Sequence, residues 1–257
     1  MNYDEIIDVV GMAGNIIRTA HEKEMVVFNK KGDVNFVTKY DKEIQSYLIE
    51  NLRKIIPDVN FIAEEDGIQQ DLGEGYCFII DPIDGTTNFI SDYRYSCISV
   101  GLALNGKMQF GVVYNPYLDE MYTAVKGEGA KKNGAEIHVG TEGLNGSITS
   151  FGAARYNTVD TDRVFEYAKM LYENSLAIRT GGSAALDLCR VADGSTGVYF
   201  ETRLQPWDYA AASLILTEAG GFISTLEGQF ITLDQPCSIL AGNRQCWKET
   251  YKMFHNM

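Results

Sequence analysis

The sequence predicts a layered α+β protein with two closely joined lobes. Three observations carry that expectation. Helical periodicity marks Tyr3 to Ala20 and Thr38 to Ile55, β-branched runs separated by turn dipeptides occupy Tyr95 to Val125, and strands alternate with helices from Ser147 onward.

Taken in order, Tyr3 to Ala20 places Ile6, Val9, Val10, Ala13, Ile16, Ile17 and Ala20 on one helical face. Thr38-Lys39-Tyr40-Asp41 reads as a capping box that opens a second helix, with Ile44, Tyr47, Leu48, Leu52 and Ile55 as its stripe. A short strand, Asn60 to Ala63, runs into Glu64-Glu65-Asp66-Gly67, and the apolar run Tyr76 to Ile80 runs into Asp81-Pro82-Ile83-Asp84. YSCISVGLALNG, KMQFGVVYNP and DEMYTAVKG predict an antiparallel meander, and GEGAKKNGAEIHV a loop and one further strand. In the second half, strands are expected at Ser147–Ala153, Ser175–Thr180 and Gly197–Glu201. Helices are expected at Asp162–Tyr172, with Val164, Phe165, Ala168 and Leu171 inward, at Ser183–Ala192, and at Asp208–Ala219 before Gly220-Gly221. Two short strands near Phe222 and Ile239 and a terminal helix complete the chain. The expected lobes are residues 1–142 and 143–257.

At 257 residues and 45% hydrophobic content, the chain can bury a sizeable core. MNYDEIIDVV is acidic and amphipathic, unlike a signal peptide, and no apolar run approaches the roughly 20 residues of a membrane span, so a soluble cytoplasmic protein is expected. Cys77, Cys97, Cys189, Cys237 and Cys246 form no C-x-x-C pair, which argues against a zinc ribbon or thioredoxin-type site. Each reads as a small buried hydrophobe. A net charge of −13 disfavours nucleic acid and anionic membranes as partners. It would also repel a phosphorylated metabolite unless the site carries its own cations.

Acids follow strand ends three times: Glu64-Glu65-Asp66 after FIA, Asp81 and Asp84 after CFII, and Asp208 after FETRLQPW. Each alone is compatible with a helix cap or a solvated turn. If they converge, their carboxylates cannot all stay ionised without a cation, and oxygen ligands without Cys or His favour Mg²⁺ or Mn²⁺. Gly85-Thr86-Thr87 then opens a helix whose backbone N–H groups suit an anion, and the Thr86 hydroxyl can orient a water. Rival phosphate chemistries lack their motifs: there is no Cys-x5-Arg loop, no G-x-x-x-x-G-K-[ST] and no G-x-S-x-G, and Asp81 and Asp84 have Asp-x-x-Asp spacing far from the N-terminus where a haloacid-dehalogenase-like site needs Asp-x-Asp.

Asp81-Pro82-Ile83-Asp84-Gly85-Thr86-Thr87-Asn88-Phe89 and Trp207-Asp208-Tyr209-Ala210-Ala211-Ala212, followed by Glu218-Ala219-Gly220-Gly221, resemble the two signatures of the inositol monophosphatase family. Glu64-Glu65 fits the same pattern, and the likeness covers nearly the whole chain. The resemblance implies a layered αβαβα sandwich of the inositol monophosphatase and fructose-1,6-bisphosphatase type. It also implies Mg²⁺ dependence with two or three ions per subunit (Mn²⁺ as a substitute), lithium sensitivity and a homodimer. By position it implies a first metal on Glu64, Asp81 and the Ile83 carbonyl, a second on Asp81, Asp84 and Asp208, and a third near Glu64. Thr86, paired with Asp41 or helped by Glu64, would activate water.

For the substrate, the resemblance implies contacts from Gly85, Thr86, Gly182, Ser183, Ala184, Glu201 and Asp208. Lys30 or Lys31 stands at the distance of a family lysine, or is a surface charge. Ala153 replaces a serine that many members carry, and Arg203 departs from inositol-specific members, either to bind a second phosphate or to pair with Glu201. The implied activity is Mg²⁺-dependent hydrolysis of a phosphate monoester of a small polyol or sugar, such as inositol 1-phosphate. The alternatives are a fructose-1,6-bisphosphatase, a 3′(2′),5′-bisphosphate nucleotidase, or a non-catalytic metal- and phosphate-binding interaction protein.

Overall fold

The computed structural model of the protein describes residues 2–21, 27–29, 36–67, 72–155 and 160–256. The chain starts with α1 (Asp4–Ala20), a hairpin of β1 (Val27–Asn29) and β2 (Phe36–Thr38), and α2 (Lys39–Ile55). The expected capping box is present: Thr38 and Asp41 bond each other's backbone N–H side at the start of α2.

A seven-stranded sheet follows in simple order. Its strands are β3 (Asn60–Ala63), β4 (Tyr76–Asp84), β5 (Cys97–Leu104), β6 (Lys107–Asn115), β7 (Glu120–Val125), β8 (Ala130–Lys132) and β9 (Ala135–Ile137), with the short helix α3 (Thr86–Ile90) after β4. Only β3 and β4 pair in parallel, and the meander from β5 to β7 is as expected. The stretch after β7 differs from expectation. It forms a two-strand hairpin, because Asn133 and Gly134 both adopt positive φ and turn the chain between β8 and β9.

The second sheet has the order β11-β10-β12-β14-β13, from β10 (Ile148–Phe151), β11 (Ala177–Arg179), β12 (Val198–Leu204), β13 (Phe222–Ser224) and β14 (Cys237–Gly242). The helices of this half are α4 (Thr161–Asn174), α5 (Ala184–Ala192), α6 (Pro206–Glu218) and α7 (Arg244–His255). The result is a layered α+β arrangement of five layers. Helices α1 and α2 cover one face of the first sheet, α5 and α6 lie between the two sheets, and α4 and α7 cover the second.

One inward assignment is corrected. Phe165 is 57% exposed, whereas Tyr167 is buried and stacks on Phe254 with ring centroids 3.8 Å apart. The buried face of α4 runs through Val164, Tyr167, Ala168 and Leu171, spaced i, i+3, i+4, i+7, and Phe165 falls one step off it. Among the described residues, Cys77, Cys97, Cys189 and Cys246 are buried and Cys237 is half-buried, all as thiols. No helix among them is long and apolar enough to cross a membrane.

Helix α6 is buried on nearly every side, so no polar stripe guides it, and its position depends on close approach to the first sheet. Gly101 on β5 and Gly111 on β6 are register partners, Gly101 lying under Ala210 and Ala211 and Gly111 under Ala211. A Cβ at Gly111 would stand 2.6 Å from the Ala211 carbonyl oxygen, whereas one at Gly101 would first meet the end of the Met108 side chain at 2.7 Å. Backbone cannot give way as a flexible thioether can. Gly111→Ala is therefore expected to destabilise the protein by about 1–3 kcal/mol, and by more than Gly101→Ala. Urea denaturation of the two variants measures this, and equal costs would mean that α6 does not rest on the glycine pair.

Candidate active site

The site is built where strands of the first sheet end. Strands β3 and β4 run in parallel with Ala63 opposite Ile80, so Glu64 and Asp81 leave the sheet side by side. In a regular strand Asp81 and Asp84 would face opposite sides, because side chains alternate. Asp81 pairs with Ser99 and Asp84 with Cys97, however, so β4 carries one extra residue there, a bulge that returns both carboxylates to the same side. Pro82, which has no N–H to give a ladder, suits the bulge. Gly85 then takes φ +86°, a left-handed turn that other residues resist, and α3 begins.

Asp208 arrives from the other half. Pro206 opens α6 two residues earlier than expected and puts Asp208 in its first turn, where Oδ2 accepts a 2.7 Å hydrogen bond from the Gln205 N–H. Asp208 is therefore a helix cap and a member of the cluster at once. One carboxylate oxygen each from Asp81, Asp84 and Asp208 lies within 4.8 Å of the others, and all three side chains are buried.

The electrostatics follow from that crowding. Burial raises the Asp81 pKa well above the usual carboxylate range, and the nearby charges of Glu64, Asp84 and Asp208 raise it further. Asp208 is pushed up by burial and then by Asp84 and Glu64. Asp84 rises to about 6, again through burial, while donors pull the other way. Those donors are the Ser183 hydroxyl at 2.5 Å and the Ala185 N–H at 2.8 Å, both at the N-terminus of α5. Two helix N-termini thus serve the acid cluster.

The residue set fits a hard divalent cation. Its ligand atoms are carboxylate oxygens, and the adjacent Cys97 thiol is held neutral because burial pushes its pKa well up, so no thiolate competes. The buried acidic cluster can therefore hold a metal ion.

Around the cluster, Asp41 is buried and spends Oδ2 on the Thr38 N–H and hydroxyl, at 2.7 and 2.6 Å. Its Oδ1 lies 3.4 Å from the Thr86 hydroxyl, which also reaches the Ile83 carbonyl at 3.1 Å. The capping role and the contact with Thr86 coexist. Glu64 stands beside Asp81, and Gln45 on α2 brackets the backbone of Glu65 with two 2.9 Å hydrogen bonds.

A cavity of about 390 Å³ opens over the cluster. Every residue named as a substrate contact from the sequence lines it: Gly85, Thr86, Gly182, Ser183, Ala184, Glu201 and Asp208. Glu201 is buried, accepts the Tyr199 hydroxyl at 2.5 Å, and has its pKa raised to about 8, chiefly by burial. Ala153 also lines the cavity.

Arg203 does not. It lies with Arg163 in a separate cleft, and among the described residues it makes no ion pair with Glu201, so of the two alternatives given for it the pairing is absent. The bulge of β12 between Glu201 and Leu204 turns the two side chains apart. Lys30 and Lys31 lie outside the described residues. A larger cleft of about 1070 Å³, beside Met108, Phe222 and Leu233, shares no lining residue with the acid-floored cavity and lacks its carboxylate cluster.

The cavity wall also contains residues that sequence reasoning missed: Asn88, Arg155 and Asp187. Asn88 sits inside the quoted motif, where its Nδ2 donates to the carbonyls of Tyr95 and Gly181 at 2.7 and 2.9 Å. Asp187, an acid on the first turn of a helix that follows Gly-Gly, was the one signal available in the sequence, and it reads equally as a dipole partner.

Comparison with known proteins agrees with this geometry. The model of the inositol monophosphatase family matches residues 3–256. Inositol monophosphatase 1 of Bos taurus is 36% identical over 233 residues, covering 88% of this chain and 83% of its own. The extragenic suppressor protein SuhB of Bartonella henselae superposes with a TM-score of 0.91 at 29% identity, over 98% of this chain and 97% of its own. Inositol monophosphatase II of Staphylococcus aureus, solved with inositol monophosphate bound, gives a TM-score of 0.84 at 29% identity, over 99% and 93%. With the family's model spanning nearly its whole length, the chain belongs to the inositol monophosphatase family and is a phosphomonoesterase.

Proposed function

We propose that the protein hydrolyses the phosphate monoester of a small polyol or sugar, of the inositol 1-phosphate kind, with Mg²⁺ as its cofactor. The observation that carries this reading is the convergence of Asp81, Asp84 and Asp208 at the floor of a cavity whose wall includes Glu201 and the Gly182–Ala184 turn. Glu64, Asp81 and the Ile83 carbonyl would hold one ion, and Asp81, Asp84 and Asp208 a second, with a weaker third near Glu64. Mg²⁺ there would neutralise phosphoryl charge and lower the pKa of water.

The chain's own residues divide the remaining work. The Thr86 hydroxyl has one proton and two nearby acceptors, Asp41 Oδ1 and the Ile83 carbonyl. Its lone pairs are then left to accept a hydrogen bond from the attacking water and set its line of approach. The water's proton would pass through the Thr86 hydroxyl, whose own proton goes to Asp41 Oδ1, or it would go directly to Glu64. Backbone amides of Gly85 and Thr86 serve phosphate oxygens, and Glu201 accepts a hydroxyl of the alcohol. Ser183 and Ala184 act through Asp84, whose carboxylate the α5 N-terminus holds in place.

Residues 1–142 and 143–257 would act as two lobes that close this site between them. Lithium sensitivity, a homodimer and a cytoplasmic location belong to the same reading by family likeness. The net charge of −13 disfavours nucleic acid and anionic membranes as partners, and a small phosphorylated metabolite would be admitted by the cations at the site rather than by the surface. The second reading, a bisphosphatase, is favoured by Arg155, an exposed cation at the cavity wall where a second phosphate would find charge. Assay of a panel of polyol, sugar-bisphosphate and nucleotide-bisphosphate esters with Mg²⁺ separates the two. Turnover of bisphosphates alone would sink the first.

Asp84→Asn keeps shape and removes a charge, so kcat should fall at least about a hundredfold, near 2.7 kcal/mol of barrier, with the fold retained. Asp208→Asn should behave alike. Activity within about tenfold of wild type at saturating Mg²⁺ would count against the assignment.

Removing metal has a signed consequence with pH. The three aspartates have folded pKa values above the unfolded value of about 3.9, so the metal-free native state holds protons that the unfolded chain has released. Its stability should therefore fall as pH rises from about 4 through about 6, the Asp84 value, and beyond for Asp81 and Asp208. Mg²⁺ displaces those protons, so the melting-temperature gain on adding it should grow across the same window. A gain independent of pH would mean that the cation binds elsewhere.

Thr86→Ala separates capping from catalysis. Loss of a cap alone costs about 1 kcal/mol of stability and leaves kcat unchanged. Loss of the water-orienting group lowers kcat by orders of magnitude with KM little altered, and Thr86→Ser should recover most of the rate. Paired kcat and melting-temperature measurements on both variants decide the matter, and a fully active alanine variant would transfer the role to Glu64.

A further inference from the structure

Beyond the acid cluster, the cavity wall holds a carboxyl group that the proposed chemistry does not use. Asp187, on the first turn of α5, is only 5% exposed. Its Oδ1 accepts the Tyr95 hydroxyl at 3.0 Å, while Oδ2 is buried without a hydrogen-bond partner. A buried acceptor left unpaired is destabilising, and a ligand's O–H would relieve that cost.

The group is also held firmly. The Tyr95 carbonyl takes one N–H of Asn88 and the Gly181 carbonyl takes the other, so the tyrosine and the chain leading into α5 are tied to the metal-bearing turn. Asp187 thus repeats the construction of Glu201 in the same cavity: each is a buried carboxyl anchored through one oxygen by a tyrosine hydroxyl, Tyr95 in one case and Tyr199 in the other.

We propose that Asp187 is a specificity-determining residue that works with Glu201, its Oδ2 accepting a hydroxyl of the leaving alcohol, so that the enzyme prefers phosphate esters of polyhydroxylated rings or chains over esters of plain alcohols. This rests on the phosphomonoesterase reading and narrows its substrate class.

The test uses the full chain with Mg²⁺ and two probes that share a ring, inositol 1-phosphate and cyclohexyl phosphate, the second lacking every hydroxyl. The quantity read is the ratio of their kcat/KM values. Asp187→Ala should lower that ratio at least about tenfold, through the polyol ester, with cyclohexyl phosphate within about threefold of wild type. A merely structural role would lower both rates together and leave the ratio unchanged, and a ratio within about twofold of wild type overturns the proposal. Because a ratio cancels the folded fraction, partial misfolding does not obscure it. Should the alanine variant be insoluble, Asp187→Asn keeps the volume and the Tyr95 bond, and the same fall is expected of it under the same threshold. Wild-type enzyme that turns over neither ester would overturn the polyol-monoester reading on which the proposal rests, and the proposal with it. Wild type active on both, with the ratio unmoved in the variant, overturns only the role of Asp187.

Discussion

The constraint on which this structure depends is the burial of like charges. Asp81, Asp84 and Asp208 are brought from two strand positions and one helix start into a space where one oxygen of each lies within 4.8 Å of the others. Desolvation and repulsion both oppose that arrangement, and both raise the carboxyl pKa values. It persists because each acid is also a local structural element. Asp81 accepts the Ile83 N–H across the bulge, Asp84 takes two donors from the start of α5, and Asp208 caps α6. The remaining imbalance is what a divalent cation would neutralise, so the same interactions that hold the fold together suit the cluster to a metal ion.

Delivery of Asp208 shows how packing at a distance serves the cluster. Helix α6 is sandwiched between the two sheets, and the Gly101–Gly111 pair lets its Ala210–Ala211 face lie directly on the first sheet. Larger residues there would lift the helix and carry Asp208 away from Asp81 and Asp84. Small residues far from any ligand are therefore part of the site's geometry, and they look like ordinary core residues when read one at a time.

Much of this was legible in the sequence, for identifiable reasons. Amphipathic spacing and the Thr38–Asp41 box delimited α1 and α2, and turn dipeptides delimited the meander. The cluster was legible because DPIDG and WD are compact motifs whose residues act within a few positions of one another. What was not legible depended on long-range registry. Phe165 and Tyr167 are neighbours on one helix, and only the location of Phe254 decides which of them turns inward. Arg203 lies two residues from Glu201, a spacing that suggests a shared face, but the bulge of β12 separates them. Asp187 reads as a helix-start acid until Tyr95, 92 residues earlier, is placed against it.

On the proposed reading the cavity has two ends. The end meant for phosphate is built from a bulged strand, a left-handed glycine and two helix starts, all backbone features that tolerate little change. The end meant for the alcohol is built from side chains: Glu201 on β12, Asp187 on α5, and Ala153 and Arg155 on the chain leaving β10. Among the described residues none of these side chains hydrogen-bonds Asp81, Asp84 or Asp208, so substitution there leaves the cluster's hydrogen bonds in place, while the charge of Glu201 still acts on Asp208. On that reading a net-negative protein keeps one machinery for an anionic phosphoryl group, where cations would sit, while the wall for hydroxyls varies one side chain at a time. The separation follows from chemistry, because phosphoryl transfer needs fixed charge at fixed distances, whereas an alcohol needs only matched hydrogen-bond partners that side chains can supply one at a time.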